Sequence, residues 1–145
     1  MYRHILLPTD GSELSDKAIR HGVKLARALK ARVTGMTNTP VWHDLYAGPG
    51  ARMMAVDDYE REAKAAAQAA LAKIARIAQS ARVPCATVHA RQRDAWEAIV
   101  RTARSKRCDL IVMASHGRGG MKALVLGSET NKVLAHTHIP VLVHR

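Results

Sequence analysis

The sequence predicts an α/β fold: a five-stranded parallel sheet with helices on both faces. Three observations lead there. Short aliphatic runs alternate with longer helical stretches along the whole chain. The clearest run, Asp109 to Ser115 (DLIVMAS), is apolar without alternation, as strands covered on both faces are. Strands separated by helices need right-handed crossovers, which set the strands parallel and place helices on both faces.

Each element follows in order. Arg3 to Pro8 (RHILLP) reads as a buried first strand closed by Pro8. Asp10 and Gly11 turn the chain, and Ser12 is a good N-cap for a helix from Glu13 to about Lys30. Leu14, Ala18, Leu25 and Leu29 keep helical spacing in it. Arg32 to Asn38 is the second strand, weakened by Thr34 and Gly35. Thr39 to Val56 holds Pro40, Gly48, Pro49 and Gly50 without a period, and is expected to be a long loop over a site. Asp57 to about Ser80 is built from strong helix formers. Cys85 to Arg91 alternates as a sheet-edge strand would. Asp94 and Glu97, at capping-box spacing, open a helix that reaches Lys106. The fourth strand is followed by a glycine-rich loop, His116 to Leu126. Gly127-Ser128 then opens a last helix to about His138, and Ile139 to His144 is the final strand.

Composition narrows the class. A length of 145 residues fits one domain, residues 1–145, and 48% hydrophobic residues are enough to bury a core. Aromatic residues make up only 3%, so that core must be aliphatic. Cys85 and Cys108 lack metal-ligand or redox spacing and read as reduced, structural thiols. The apolar stretch within Met1 to Asp10 is too short for a signal peptide or membrane span, so the cytoplasm is the expected address. The net charge of +11 invites anionic partners. The cations are spread along helical stretches, however (Lys17, Arg20, Lys24, Arg27), and no aromatic residues interleave to stack on bases. Those features argue for solvated faces and against nucleic acid.

In a doubly wound sheet the ligand crevice lies beyond the carboxyl ends of the strands, where the strand order reverses. The loops after strands one and four converge there. The second of these carries Gly117, Gly119 and Gly120, which permit close backbone approach. Gly127 and Ser128 then start a helix whose free N–H groups suit a phosphate. Arg118 and Lys122 add positive charge. The plain alternative is that the glycines are turn chemistry and Ser128 an N-cap. The pattern is neither a Walker loop nor the dinucleotide fingerprint. His136 and His138 suit a helix C-terminus, and no metal site made by the protein alone is expected.

The segment ASHGRGGMKALVLGSETNKV resembles the signature of the universal stress protein family: G-x-x-G, nine residues, then G-S or G-T. Gly117, Gly127 and Ser128 hold its later positions, and Ala114 stands where its first glycine falls. The opening HILLPTDGSELSDKA and the closing IPVLVHR are similar to the family too, and Arg93 stands where relatives often have glycine. The resemblance implies a Rossmann-like, adenine nucleotide alpha hydrolase-like fold that binds ATP, or ADP or AMP. It carries adenine and ribose to Pro8, Thr9 and Asp10, to the Asn38 backbone, and to Met113 and Ala114. It carries the phosphates to Gly117, Arg118, Gly127, Ser128 and Glu129, mainly through N–H groups. Asp10 would accept a ribose hydroxyl or help hold Mg²⁺ that is bound mainly by the phosphates, against a plain role in capping its turn. It also implies a homodimer paired through Ile139 to His144. The leading function is a nucleotide-binding stress-response regulator or sensor. A slow ATPase or nucleotidyl-transfer enzyme and a ligand-free interaction module are the alternatives, and no catalytic constellation is legible.

Overall fold

A computed structural model of the protein describes residues 1–42, 53–117 and 125–145, with the side chains of Met53 and Met54 left aside. Five strands and four helices are described: β1 (His4–Pro8), α1 (Glu13–Leu29), β2 (Arg32–Asn38), α2 (Met53–Ser80), β3 (Cys85–Ala90), α3 (Ala95–Ser105), β4 (Leu110–Ala114), α4 (Ser128–His136) and β5 (Val141–His144). The strands form one parallel sheet in the order β3-β2-β1-β4-β5. This is the expected architecture. The order reverses beside β1, which neighbours both β2 and β4.

Burial explains the strand patterns. Every residue of β1 and β4 is buried, because helices cover both faces of these inner strands. Ile5, Leu7, Val33 and Val112 pack with Ile19, Val23, Leu71 and Ile74, the core beneath α1 and α2. Leu6, Met36, Ile111 and Met113 point the other way, toward Ala98, Ile99, Ala103 and Val133 of α3 and α4. The edge strand β3 is only partly covered along its whole length, with Ala86 and Thr87 exposed, so its burial does not follow the alternation expected from its sequence.

Gly35, which reads as a weak point in its strand, and Gly22 of α1 set the spacing of these layers. A Cβ on Gly35 would lie 2.7 Å from Ile74 Cγ2, so α2 rests directly on β2 only because position 35 has no side chain. A Cβ on Gly22 would collide with Leu7 Cδ2, and α1 meets the sheet in the same way. Ser12 caps α1 by accepting the Ser15 N–H at 3.2 Å, and Lys30 closes the helix in the left-handed region at φ 55°. Both cysteines are free, and burial raises the Cys108 thiol to about 11.

Several expectations shift. The second helix begins at Met53, so residues 53 to 56 belong to α2 and not to the expected loop, whose residues 43 to 52 lie outside the described part. The capping box at α3 does not form: Asp94 is the N-cap residue but its side chain makes no cap bond. Helix α4 ends at His136 and β5 begins at Val141, each shorter than the sequence suggests. His136 does close the helix, its ring Nδ1 donating to the Lys132 carbonyl at 2.8 Å. Among the described residues no helix is long and apolar enough to cross a membrane.

Candidate functional site

A cleft of about 150 Å³ opens at the carboxyl ends of β1, β2 and β4, at the point where the strand order reverses. Of the residues named from sequence, Pro8, Thr9, Asp10, Asn38, Met113, Ala114, Gly117 and Glu129 line it together. Arg118 lies outside the described residues. Gly127 and Ser128 stand at the start of α4 and do not form the wall.

Backbone chemistry holds the first loop in place. Thr9 donates its N–H to the Met36 carbonyl at 2.8 Å, and its own carbonyl accepts the Thr37 hydroxyl at 2.9 Å. The Thr9 hydroxyl meets Ser15 Oγ at 3.0 Å and accepts the Gly11 N–H at 3.0 Å. Asp10 Oδ1 accepts the Ser12 N–H at 2.9 Å, so the capping role expected as the alternative for this carboxylate is present on one oxygen. The other oxygen faces the second loop: a Cβ on Gly117 would sit 2.6 Å from Asp10 Oδ2. Position 117 therefore lets the two loops touch.

The Asn38 side chain is committed to structure. Its Nδ2 donates to the Gln92 carbonyl at 3.0 Å, and its Oδ1 accepts the Gln92 N–H at 2.9 Å. Just beyond, Arg91 grips the chain after β2. It donates to the Thr39 carbonyl at 2.9 Å and forms a two-pronged pair with Glu60, each prong 2.7 Å. That guanidinium holds the Glu60 carboxyl below its ordinary range. Tyr59 adds a hydroxyl bond to the Pro40 carbonyl at 2.7 Å.

The start of α4 differs from the sequence reading in two ways. Gly127 is the N-cap residue, at φ −60° and ψ 154°, and its N–H already donates to the Ser115 carbonyl at 2.8 Å. It is thus not a spare donor for a phosphate. Its lack of a side chain serves packing instead, since a Cβ there would lie 3.0 Å from His116 Cα and 3.2 Å from the Ser115 oxygen. Ser128 is the first helical residue and not the cap. The helix's first internal bond runs from the Asn131 N–H to the Gly127 carbonyl, so the N–H groups of Ser128, Glu129 and Thr130 have no intrahelical acceptor. The Thr130 hydroxyl ties the helix back to the Ala114 and Ser115 carbonyls at 3.2 and 3.0 Å.

Glu129 reaches across the mouth. Its Oε2 accepts the Trp96 N–H at 2.7 Å, supplying from α4 the cap that Asp94 does not give α3. Two helix N-termini thus open on the cleft, with one carboxylate between them. The sequence reading missed Ser15, Met36, Thr37, Ala95, Ile99 and Thr130, which also line the cleft. Their strands and helices were legible, but which side chains turn inward depends on how α3 packs against β2, β3 and α4. Among the described residues no group of three or more His, Cys, Asp or Glu could hold a metal ion.

The sheet order and the position of the cleft make this a doubly wound α/β protein, of the kind that takes its ligand beyond the carboxyl ends of its strands. The chain belongs to the universal stress protein family, which it matches over residues 1–145. Universal stress protein MJ0531 of Methanocaldococcus jannaschii is 32% identical over 146 residues, 99% of this chain and 82% of the relative. The solved structure of hypothetical protein MJ0577 superposes with a TM-score of 0.80 at 24% identity, covering 99% of this chain and 96% of that one. A universal stress protein solved in complex with cAMP reaches 0.71 at 21% identity, over 98% and 95% of the two chains. One from Archaeoglobus fulgidus in complex with dAMP reaches 0.66 at 16% identity, over 99% and 98%. These structural likenesses share the fold.

Proposed function

We propose that the cleft binds an adenine nucleotide, ATP, ADP or AMP, and that the protein acts in the cytoplasm as a nucleotide-responsive regulator or sensor in the stress response. One observation carries the reading. The cleft pairs an apolar wall with N–H groups that have no acceptor among the described residues, the combination that a purine with phosphates requires. Met36, Ile99, Met113 and Ala114 supply apolar surface for a flat base. The N–H groups of Ser128 and Glu129, at the positive end of α4, lie beside it for phosphate oxygens. Family neighbours in complex with cAMP and with dAMP support an adenine nucleotide as the ligand class.

Asp10, with one oxygen on the Ser12 N–H and the other toward Gly117, would accept a ribose hydroxyl or reach a phosphate-bound cation. Any Mg²⁺ would be held mainly by the phosphates and would screen their charge from Asp10 and Glu129. The protein's own part is to bind and orient. Pro8 and Thr9 fix one rim through the β1–β2 bonds, and Thr130 fixes the other. We further propose a homodimer formed along β5, whose outer edge has no strand beside it among the described residues.

Equilibrium dialysis with labelled ATP, with and without Mg²⁺, tests the reading. Retention by the wild-type protein and its loss in Ala95→Trp, which extends a ring from the cleft wall, is the expected pattern. A folded wild-type protein that retains no adenine nucleotide would end it.

A further inference from the structure

Away from the cleft, α1 shows solvent a row of cations. Lys17, Arg20, Lys24 and Arg27 follow one another at helical spacing on one face, over about 15 Å at 1.5 Å per residue. Arg76 rises from α2 on the far side, and Ile77, Ser80 and Ala81 complete that wall. The groove between them measures about 760 Å³, and His21 and His144 close one side with their rings 5.4 Å apart.

Among the described residues no acidic side chain lines the groove. Lys17 pairs with Glu13 at 3.1 Å, an exposed pair that contributes little. Among the described residues Arg20, Lys24, Arg27 and Arg76 make no ion pair at all. The sequence explains why: it has no Asp or Glu from Lys17 to His43, nor from Ala63 to Arg93. The first turns of α1, α3 and α4 hold acids instead, at the carboxyl end of the sheet.

We propose that this groove binds the phosphate backbone of double-stranded nucleic acid without reading its sequence. Each strand of a duplex carries a charge about every 3.4 Å along the axis, so a row about 15 Å long faces roughly four phosphates. The scarcity of aromatic residues removes base stacking on a single strand, and leaves backbone contact as the mode that these side chains can supply. The large exposed hydrophobic residues among those described are Met1, Val125 and Leu134, none of them in the groove, so it offers nothing to insert into a lipid surface. From sequence the cations looked like separate solvated faces; α2 beside α1 turns one of those faces into a groove. The groove shares no lining residue with the cleft, so this inference stands whether or not a nucleotide binds there.

Fluorescence anisotropy with a short labelled DNA duplex tests it. Binding should weaken on the order of a hundredfold between about 50 and about 200 mM salt. The variant Arg20→Glu, Lys24→Glu, Arg27→Glu should lose at least about tenfold in affinity at low salt, and the milder Lys24→Gln, Arg27→Gln pair should lose part of that. A control with the same change in net charge, Lys64→Glu, Arg93→Glu, Arg101→Glu, lies outside the groove and should lose less than about threefold. Equal losses in both triple variants would mean that net charge alone attracts the duplex, and would overturn the groove. So would absent binding by the wild-type protein, or a preference for sedimenting phosphatidylserine vesicles over duplex. Thermal melts of each variant confirm folding, and the neutralising pair keeps the comparison open if the charge reversals unfold the chain.

Discussion

Glu129 of α4 accepts the backbone N–H of Trp96, the second residue of α3, at 2.7 Å. The contact binds two helices that are separate in sequence, and it caps a helix whose own N-cap residue, Asp94, leaves the cap unmade. The same carboxylate lies where an incoming phosphate would meet the α4 N-terminus.

Glu129→Ala should therefore cost about 1 kcal/mol of stability, as the loss of a helix cap does, and differential scanning calorimetry would read it. Glu129→Gln keeps an acceptor for the Trp96 N–H while removing the charge. It should leave the melting temperature nearly unchanged and tighten metal-free ATP binding several-fold by titration calorimetry. A Gln variant as unstable as the Ala variant would show that the contact depends on charge more than on the cap.

The glycines at 117 and 127 should respond differently to a new Cβ. At 127 the clash is with backbone atoms of Ser115 and His116, which cannot move without shifting the junction between loop and α4. Gly127→Val should lower both the melting temperature and nucleotide affinity. At 117 the close atom is the end of the Asp10 side chain, which can swing aside. Gly117→Ala should melt within a few degrees of wild type while its ATP affinity changes through the displaced carboxylate. Equal melting losses at both positions would contradict this distinction.

His4 predicts a pH dependence. Its ring is buried in β1, with Nε2 at 2.7 Å from Thr34 Oγ1. Burial, aided by the nearby Arg32 charge, lowers its pKa below the ordinary value of 6.5; Asp109 and the Lys106 carbonyl oppose that shift, and the Lys106 charge adds to it. Between the lowered folded value and the unfolded one, the unfolded chain binds more protons, so stability rises with pH there. The contribution is complete above the unfolded pKa of about 6.5 and fades as pH falls toward the folded one. His4→Asn should flatten the decline in melting temperature measured below about pH 6.5. His89, also lowered by burial, should remain as a source of the same slope.

Assembly tests the edge of the sheet. The inner side of β5 pairs with β4 from Val141 to His144, and all four residues are only half buried. An antiparallel pairing of two copies along the outer side would satisfy the backbone groups that face away from β4. Wild type should sediment as a dimer. Val141→Lys with Val143→Lys should sediment as a monomer, and a persistent dimer of unchanged frictional ratio would place the interface elsewhere.

The sequence by itself determined the element order, the parallel sheet, the two-sided core and the carboxyl end at which the cleft lies. Those follow from local chemistry: aliphatic runs such as Leu110–Ala114, the Ser12 cap, and the strict alternation of strand and helix. Which polar groups were already spent was decided by tertiary structure. The Gly127 N–H looked available for a phosphate, and it bonds to the Ser115 carbonyl across a loop; the Asn38 amide and the Glu129 carboxylate, to which the sequence assigned no part, bond to Gln92 and Trp96. Gly35, which reads as a defect in a strand, becomes the seat of Ile74 only once α2 lies on the sheet. The cations of α1 likewise form a groove only beside Arg76 of α2. Local pattern encodes what each segment is. What each side chain meets depends on distances that only the packed chain establishes.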